Sequence, residues 1–296
     1  MSKNIKGAIL LVAFSRPKLL PQVLDSIRRA NSPELPLIVI FQKGNLEVQN
    51  ILQTALKSQD YFLQVSGDNR STTNNISFNR FLGYDFAFKF LECDFVLAFE
   101  DDVLVSSDIF EFSDFVFKKY FNLKRFRGIN FGSHEEFSDE TNGLYSFQRF
   151  GIHGPASGIT AATWNHFKKR QVLEMAKDNL FDGILEPYVR SGFMVTPTNS
   201  RFLDIGVGGT HTSQNSNDPY FDKMKQSFVG DTPVQKDFRI HTTTHTWRND
   251  VFPYLSRDNL LFDFLKFFGE RRANPLFRKL ERAIYKVFIL PRVRHH

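Results

Sequence analysis

Short apolar runs alternate with segments of helical periodicity along the first third of the chain. Four runs have the length and the flanking turn residues of buried strands: "GAILLVAFS" (7–15), "LPLIVIFQKG" (35–44), "YFLQVSGDN" (61–69) and "CDFVLAFEDD" (93–102). Apolar residues recur at helical spacing between them, in segments 17–31, 45–59 and 76–92. This β-α-β-α-β-α-β order predicts an α/β fold, with parallel strands and with helices that cover the sheet.

The polar segments that follow the four strands are expected to meet. In open α/β sheets, ligands bind outside the carboxyl ends of the strands, so these segments should line one crevice. Candidate ligand contacts in the first three segments are Arg16, Gln42, Lys43 and Asp68, and the fourth, "EDDVLVSSD" (100–108), begins with three acids. Residues 1–105 are therefore interpreted as a Rossmann-like half-domain of the nucleotide-binding type.

The acids Glu100, Asp101 and Asp102 stand at the end of a wholly apolar strand. Adjacent carboxylates resist ionising together unless a cation screens them. Mg²⁺ and Mn²⁺ take oxygen ligands and are typically held by one or two carboxylates plus substrate phosphates. The alternative is that the acids cap the next helix. However, the Ser-Ser-Asp segment 106–108 can cap "IFEFSDFVFKKYF" and leave the triplet free. The pattern therefore favours a divalent-metal site.

Composition and charge place the chain among globular proteins. It has 296 residues, of which 42% are hydrophobic and 24% charged, enough for one large α/β domain. The single cysteine, Cys93, excludes an intramolecular disulfide framework and is typical of a reducing compartment. The N-terminal apolar stretch is too short for a membrane span and lacks a signal-peptide cleavage pattern, so we expect a cytoplasmic protein. The net charge of +6 favours anionic partners.

Two common phosphate-binding motifs are absent from the sequence. It contains neither G-x-x-x-x-G-K-[ST] nor a G-x-G-x-x-G between a strand and a helix. The loop after the first strand, "AFSRPK", instead offers the guanidinium of Arg16 to a diphosphate.

From about residue 8 to about residue 225, the chain resembles the metal-dependent glycosyltransferases of GT-A fold, and among them the N-acetylglucosaminyltransferase I family. The segments "ILLVAFSRPKLLPQVLDSI", "ELPLIVIFQKG" and "FVLAFEDDVLVSSDIFEFSDF" carry the resemblance. They are similar to the family's first strand with its arginine-bearing loop, to its donor-base loop and to its "EDD" metal motif. Three later segments are similar more loosely: "GPASGITAATWNHF" (154–167), "LFDGILEPYV" (180–189) and "SRFLDIGVGGTHTSQNSND" (200–218).

The resemblance implies a GT-A type mixed sheet flanked by helices, a UDP-sugar donor, and Mn²⁺ or Mg²⁺ as the cofactor. It also implies transfer of a sugar, GlcNAc or glucose, with inversion at the anomeric carbon. Asp102 matches the direct metal ligand, with Glu100 and Asp101 supporting the sugar and the metal. Arg16 matches the arginine that contacts the donor. Lys43 stands where the family has an acid that contacts uracil, which weakens the expectation of UDP.

The general base falls where this chain departs from the family pattern. Asp182 matches the first acid of a family Asp-Asp pair, but Gly183 replaces the second, which is the family's base. Asp182 and Glu186 are both candidates, and Asp182 is preferred because a position at a helix N-terminus would keep it ionised. His211, in "GVGGTHTS", is a candidate metal and donor ligand because other GT-A enzymes supply a late histidine. A hydrogen-bonded loop histidine is the alternative.

The last segment, 257–296, differs from the rest of the chain. Apolar residues at helical spacing and about ten basic residues indicate a basic amphipathic helix, which either contacts an anionic membrane surface or packs on the catalytic domain. The predicted catalytic domain is 1–256, with an acceptor-side half at 106–256. His241 and His245 of "HTTTH" would lie about 13 Å apart on a strand, too far for one ion. Three threonines between them disfavour a helix.

Two other classes of function stay open at this point. A nucleotidyltransferase would use the same carboxylates with a nucleoside triphosphate. A nucleotide- or nucleic-acid-binding module would use the positive charge and stacking aromatic rings. The phenylalanines fall inside periodic apolar runs, where core packing explains them, so a nucleic-acid partner is not expected. The sequence leaves the acceptor open between a glycan, a lipid-linked molecule and a protein.

Overall fold

The computed structural model describes residues 5–30, 35–66, 72–133, 142–148, 155–166, 192–206, 219–232 and 237–240. The strands are β1 (Gly7–Ala13), β2 (Leu37–Gln42), β3 (Tyr61–Val65), β4 (Phe95–Glu100), β5 (Val103–Val105), β6 (Phe126–Asn130), β7 (Leu144–Gln148), β8 (Ala156–Thr160), β9 (Phe193–Pro197), β10 (Phe202–Asp204) and β11 (Arg239–Ile240). The helices are α1 (Leu20–Ala30), α2 (Leu46–Ala55), α3 (Thr72–Asp85), α4 (Ile109–Tyr120) and α5 (Pro219–Ser227). Within these ranges, no helix is both long and apolar enough to cross a membrane.

The described strands form one mixed sheet of nine strands, in the order β11-β7-β9-β6-β8-β4-β1-β2-β3, and a separate ribbon of β5 and β10. The neighbours β3, β2, β1 and β4 are parallel, as the alternation of apolar runs and helices predicts. Strand β8 then runs antiparallel between β4 and β6, and β7 runs antiparallel to β9. The predicted α/β fold, a Rossmann-like mixed sheet flanked by helices, is confirmed. The predicted helical extension lies outside the described residues.

Both faces of the sheet carry apolar side chains. On one face, here called the α4 face, alternate residues of β4 (Phe95, Leu97 and Phe99) pack with α1, α2 and α4. On the opposite α3 face, the intervening Val96 and Ala98 pack with α3. Successive side chains of a strand point to opposite faces, so a strand buried on both sides is a continuous apolar run in sequence.

The helix predicted over 76–92 differs from the observed one at both ends. Helix α3 begins at Thr72, and a π-helical turn, Phe86–Phe90, continues it. The turn places Phe86 against Tyr61 of β3, with ring centroids 5.3 Å apart, and Phe88 against Trp164 at 6.1 Å. The local widening of the helix at this turn is not revealed by apolar periodicity.

Asp108, one of the residues expected to cap α4, is its N-cap residue, but the Asp108 side chain makes no capping hydrogen bond. Its Oδ1 instead accepts a hydrogen bond from Ser106 Oγ at 2.6 Å, and its Oδ2 pairs with Arg201 Nη2 at 3.0 Å. Both members of the pair are fully buried. Arg201 also donates to the carbonyl oxygen of Asn199 at 3.0 Å and to Asn142 Oδ1 at 3.3 Å. A buried ion pair thus joins the start of α4 to the segment before β10.

Candidate functional site

The ends of β1 and β4 bring the first and fourth polar segments together. The two strands are parallel neighbours, and Val12 is the register partner of Glu100. One residue beyond β1, the backbone N–H of Phe14 donates to Asp101 Oδ2 at 2.8 Å. The predicted convergence of these two segments is therefore confirmed.

Asp102 lies at the centre of this cluster. It is 6% exposed, and its Oδ2 forms an ion pair with Nη1 of Arg16, which follows β1. Its other oxygen, Oδ1, is buried and has no hydrogen-bond partner among the described residues. One oxygen of the carboxylate is therefore paired with an arginine, and the other accepts no hydrogen bond from the part of the chain that the structure describes.

The other two acids of the triplet have partners of their own. Glu100 Oε1 lies 3.3 Å from Nη2 of Arg80, a buried residue of α3. Burial raises the pKa of Asp101, against the opposing effects of the Phe14 N–H and the Arg16 charge. Two arginines and a backbone N–H thus offset part of the repulsion within the triplet, before any metal is considered.

A fourth acid, Asp204, joins the site from β10. Asp204 is the register partner of Val103, and the next backbone N–H, of Ile205, donates to the Asp102 carbonyl oxygen at 2.8 Å. Burial raises the pKa of Asp204, while a hydrogen bond from the Gly206 N–H at 2.8 Å and the charge of Arg16 act to lower it. Strand pairing and the Ile205 N–H hydrogen bond therefore hold segment 204–206 beside the Asp102–Arg16 pair.

Arg80 and Asp204 were both missed by reasoning from the sequence. A signal exists for each of them. Arg80 interrupts the apolar side of a predicted helix that must cover the sheet, and Asp204 ends a short apolar run, "RFLD", before a glycine-rich segment. Either pattern could have indicated a polar residue at the edge of the core.

Gly206 is required by the space around the ion pair. A Cβ on Gly206 would collide with Asp102 Oδ2 and with Arg16 Nη1. The sequence therefore keeps a residue without a side chain where the backbone passes closest to the two charges.

Replacing Gly206 by alanine should lower the free energy of unfolding by about 1–3 kcal/mol, because the added methyl group forces either the ion pair or segment 204–206 to move. Urea unfolding of the purified variant measures the loss. A Ser15→Ala variant, at an exposed position beside Arg16, is the control and should change the value by less than about 0.5 kcal/mol. Equal stability of the two variants would contradict the packing described here.

The second polar segment lies two strands from β4. Gln42 ends β2, and its Oε1 is buried without a hydrogen-bond partner among the described residues. Lys43 is exposed, and its backbone N–H donates to the carbonyl oxygen of Val65 at 2.8 Å. Both residues are therefore at the carboxyl edge, as predicted, and Gln42 has an oxygen that a ligand could use.

Several predicted site residues fall outside the described part of the chain. They are Asp68, Asp182, Glu186 and His211, together with His241, His245 and the tail 257–296. The roles assigned to them from the sequence stay predictions.

A divalent metal fits the described residues only as a site shared with a ligand. Within the described ranges, no three His, Cys, Asp or Glu side chains are grouped so as to hold a metal ion. One or two protein carboxylates are sufficient, however, when substrate phosphates complete the coordination of Mg²⁺ or Mn²⁺. The unpartnered Oδ1 of Asp102 is a suitable oxygen, because a buried carboxylate oxygen without a partner is costly.

No protein-family model matches the sequence, and no curated protein shows significant similarity to it. Among solved structures, the chain is similar to two crystal structures of TarS from S. aureus. For the structure of TarS 1–349, the TM-score is 0.45 at 9% identity, over 68% of this chain and 61% of that one. For a longer TarS structure, the TM-score is 0.44 at 12% identity, over 67% of this chain and 36% of that one. The similarity thus spans less than two thirds of either TarS chain.

Proposed function

We propose that the chain is a metal-dependent glycosyltransferase, which transfers GlcNAc or glucose from a UDP-sugar to an acceptor hydroxyl with inversion. The observation that carries the proposal is Asp102, a buried carboxylate just after β4, with one oxygen paired to Arg16 and the other without a hydrogen-bond partner among the described residues. Charged groups at the carboxyl ends of parallel strands lie where open α/β sheets bind nucleotides. The resemblance of "FEDD" and of the Arg16 loop to GT-A sequences supports the same activity.

In this proposal, Arg16, Asp102 and Gln42 each contact a different part of the donor. Arg16 is about a quarter exposed, so its guanidinium can keep one contact with Asp102 and offer its remaining N–H groups to a diphosphate. Asp102 would hold Mn²⁺ or Mg²⁺ through Oδ1. The metal would stabilise the negative charge that develops on the departing diphosphate. Gln42 Oε1 is a candidate acceptor for a base or ribose donor group.

The acceptor side of the proposal depends on residues outside the described ranges. Asp182, or Glu186 in its place, would take the proton of the acceptor hydroxyl, a step typically worth about 10²–10⁴-fold in rate. His211 is kept as a second metal or donor ligand. The basic tail 257–296 extends the proposal to a lipid-linked acceptor at an anionic inner-membrane surface.

A nucleotidyltransferase is the nearest rival, and the pairing of the acids weighs against it. Two-metal nucleotidyl transfer places two ions about 3.5–4 Å apart and needs several free carboxylate oxygens. Here Glu100 is paired with Arg80, and Asp101 accepts from the Phe14 N–H. This arrangement favours a single ion beside Asp102.

Incubation with a panel of nucleotide sugars, with and without Mn²⁺, tests the proposed function. We expect Mn²⁺-dependent release of UDP from UDP-GlcNAc or UDP-glucose, and faster release when oligosaccharide acceptors are added. Nucleoside triphosphates serve as the control, and they should release no pyrophosphate. Turnover of triphosphates without turnover of any nucleotide sugar would establish the rival activity instead.

Replacing Arg16 by alanine should raise KM for the donor by about 10- to 150-fold and change kcat less. This range corresponds to the loss of a charge-assisted contact with a diphosphate, about 1.5–3 kcal/mol. Steady-state kinetics measures both constants. Arg29→Ala, which removes an exposed arginine of α1, should leave them unchanged. An unchanged KM with a reduced kcat would assign Arg16 to the chemical step rather than to donor binding.

A further inference from the structure

Arg80 is a buried cation on a helix face that is otherwise apolar. Residues three and four apart share a face of a helix, so positions 80, 83, 84 and 87 of α3 and its π-helical continuation lie on one side. Tyr84 and Ala87 are fully buried in the apolar cluster of the α3 face, and a Cβ on Gly83 would collide with Leu10 of β1. The pattern favours an apolar residue at position 80, but the chain has a buried arginine there.

The Arg80 side chain reaches the acid triplet from the α3 face. Glu100 follows Phe99, which belongs to the core of the α4 face, so alternation along β4 places the Glu100 side chain on the α3 face. Nη2 of Arg80 lies 3.3 Å from Glu100 Oε1. Among the described residues, no other side chain forms a hydrogen bond or an ion pair with this carboxylate. Arg80 is therefore the contact that fixes one of its two oxygens.

The paired carboxylate stays accessible at the carboxyl edge of the sheet. The Glu100 side chain is 27% exposed, whereas that of Arg80 is 3% exposed. The pair therefore has a buried cationic end and an accessible anionic end. A ligand can reach Glu100 without entering the core, and Arg80 can act on that ligand only through Glu100.

Stability alone does not explain the pair. A buried ion pair is often no more stabilising than well-packed apolar side chains of similar volume, because both charges lose hydration. Arg80→Met together with Glu100→Gln would leave no charge buried and would continue the apolar side of α3. The chain instead keeps a cation under Glu100, which indicates a use for a carboxylate in a fixed orientation.

The fixed carboxylate lies beside the proposed contacts for the metal and the diphosphate. Glu100 precedes Asp102 by two residues, and its register partner Val12 precedes Arg16 by four. A carboxylate accepts hydrogen bonds and repels phosphate, so it fits a part of the donor that carries hydroxyl groups. In a nucleotide sugar, the part with hydroxyl groups next to the diphosphate is the sugar.

We propose that Arg80 is a positioning residue, which holds the Glu100 carboxylate so that it accepts hydrogen bonds from hydroxyl groups of the transferred sugar; this proposal rests on the proposed function. The pair then contributes to affinity for the sugar and not to affinity for the nucleotide. A carboxylate that is already held in place loses less side-chain freedom on binding, so more of its hydrogen-bond energy appears as affinity.

The test compares two affinities of the full-length chain, measured by calorimetry with Mn²⁺. One is for UDP, and the other is for UDP-GlcNAc or UDP-glucose, whichever the wild type binds more tightly. The selectivity ratio is Kd for UDP divided by Kd for the UDP-sugar. Glu100→Gln and Arg80→Met should each lower this ratio by about 3- to 30-fold, the difference between a charge-assisted and a neutral hydrogen bond. Affinity for UDP itself should change much less.

Two further variants test whether Arg80 acts through Glu100. The contact uses one nitrogen of the guanidinium, so Arg80→Lys, which keeps the charge, should restore part of the ratio that Arg80→Met loses. The double variant Arg80→Met/Glu100→Gln should lower the ratio no further than either single variant, because both changes act on one carboxylate. If Arg80→Met does not fold, Arg80→Lys and the double variant, which buries no charge, give the same comparison.

Arg127→Met is the matched control. Arg127 is a buried arginine near the start of β6; because β4 and β6 are both antiparallel to β8, it lies at the opposite, amino edge of the sheet. Its Nη1 donates to the Lys124 carbonyl oxygen at 3.0 Å. Arg127→Met should lower Tm and leave the selectivity ratio unchanged. The same behaviour in Arg80→Met would make Arg80 a structural residue and overturn the proposal.

Two other outcomes distinguish failure of this proposal from failure of the proposed function. If Arg80→Met weakens binding of UDP and of the UDP-sugar by the same factor, the positioning role is wrong and the transferase assignment stands. If the wild type binds neither UDP nor a UDP-sugar in the presence of Mn²⁺, the proposed function fails, and the positioning role fails with it.

Discussion

Replacing Asp102 by asparagine is expected to weaken Mn²⁺-dependent UDP binding by more than about 100-fold, while the protein stays folded. Loss of an outer partner of a metal ligand typically costs 10- to 100-fold in metal affinity, and loss of the ligand itself should exceed that range. Asparagine keeps the shape of the side chain but removes the charge that both the metal and Arg16 require. Alanine would leave a void beside the Arg16 guanidinium, so loss of packing could not be separated from loss of charge. Calorimetric titration with UDP, with and without Mn²⁺, measures the change.

Two further variants make the Asp102 result specific. Asp101→Asn keeps an acceptor for the Phe14 N–H and should weaken Mn²⁺-dependent binding less than Asp102→Asn does. Asp114→Asn, which changes an exposed acid of α4 that pairs with Lys118 at 2.7 Å, should have no effect. Wild-type affinity for UDP and Mn²⁺ in Asp102→Asn would remove Asp102 from the metal site.

Replacing Arg201 by methionine is expected to lower the free energy of unfolding by about 3–5 kcal/mol. The substitution leaves the fully buried Asp108 carboxylate facing an apolar side chain, and an uncompensated buried charge has a cost of this size. The Ser106 hydroxyl would remain as a hydrogen-bond donor to the carboxylate but supplies no charge. Urea unfolding and a thermal scan measure the loss, about 6–20 °C in Tm if each kcal/mol shifts Tm by roughly 2–4 °C.

The double variant Asp108→Asn/Arg201→Met should regain much of this stability, because no charge is then buried. Arg29→Met is the surface control. Arg29 pairs with Asp25 and Asp231, but it is more than half exposed, so its loss should cost less than about 1 kcal/mol. If Arg29→Met and Arg201→Met lowered the free energy of unfolding by similar amounts, burial of the Asp108–Arg201 pair would not add to the cost of losing the arginine.

The elements that could be predicted from the sequence are those with a local signal. β1 and β4 are buried on both faces, so their residues are apolar without interruption, and the helices between the parallel strands show their amphipathic period. The position of the triplet at the end of β4 followed from the same pattern, and so did its approach to Arg16. Neighbouring parallel strands end at one edge, whatever their side chains are.

The parts that could not be predicted depend on contacts between segments distant in sequence. Asp108 has the local signature of a helix cap, yet its carboxylate is taken by Arg201, which reaches it from the segment before β10. Asp204 becomes part of the site only because β10 pairs with β5. In both cases, the pairing partner decides the role of the acid, and periodicity along the chain contains no information about that partner.

The antiparallel strand β8 has a consequence for the order in which the protein can assemble. Until residues 156–160 have left the ribosome, β4 is the open edge of a four-stranded sheet, with an almost wholly apolar strand exposed to other chains. The pairs β4–β8 and β6–β9 both join residues more than fifty positions apart, and such contacts form slowly. Nascent chains that pause between α4 and β8 would therefore be the species most exposed to aggregation and most dependent on chaperones.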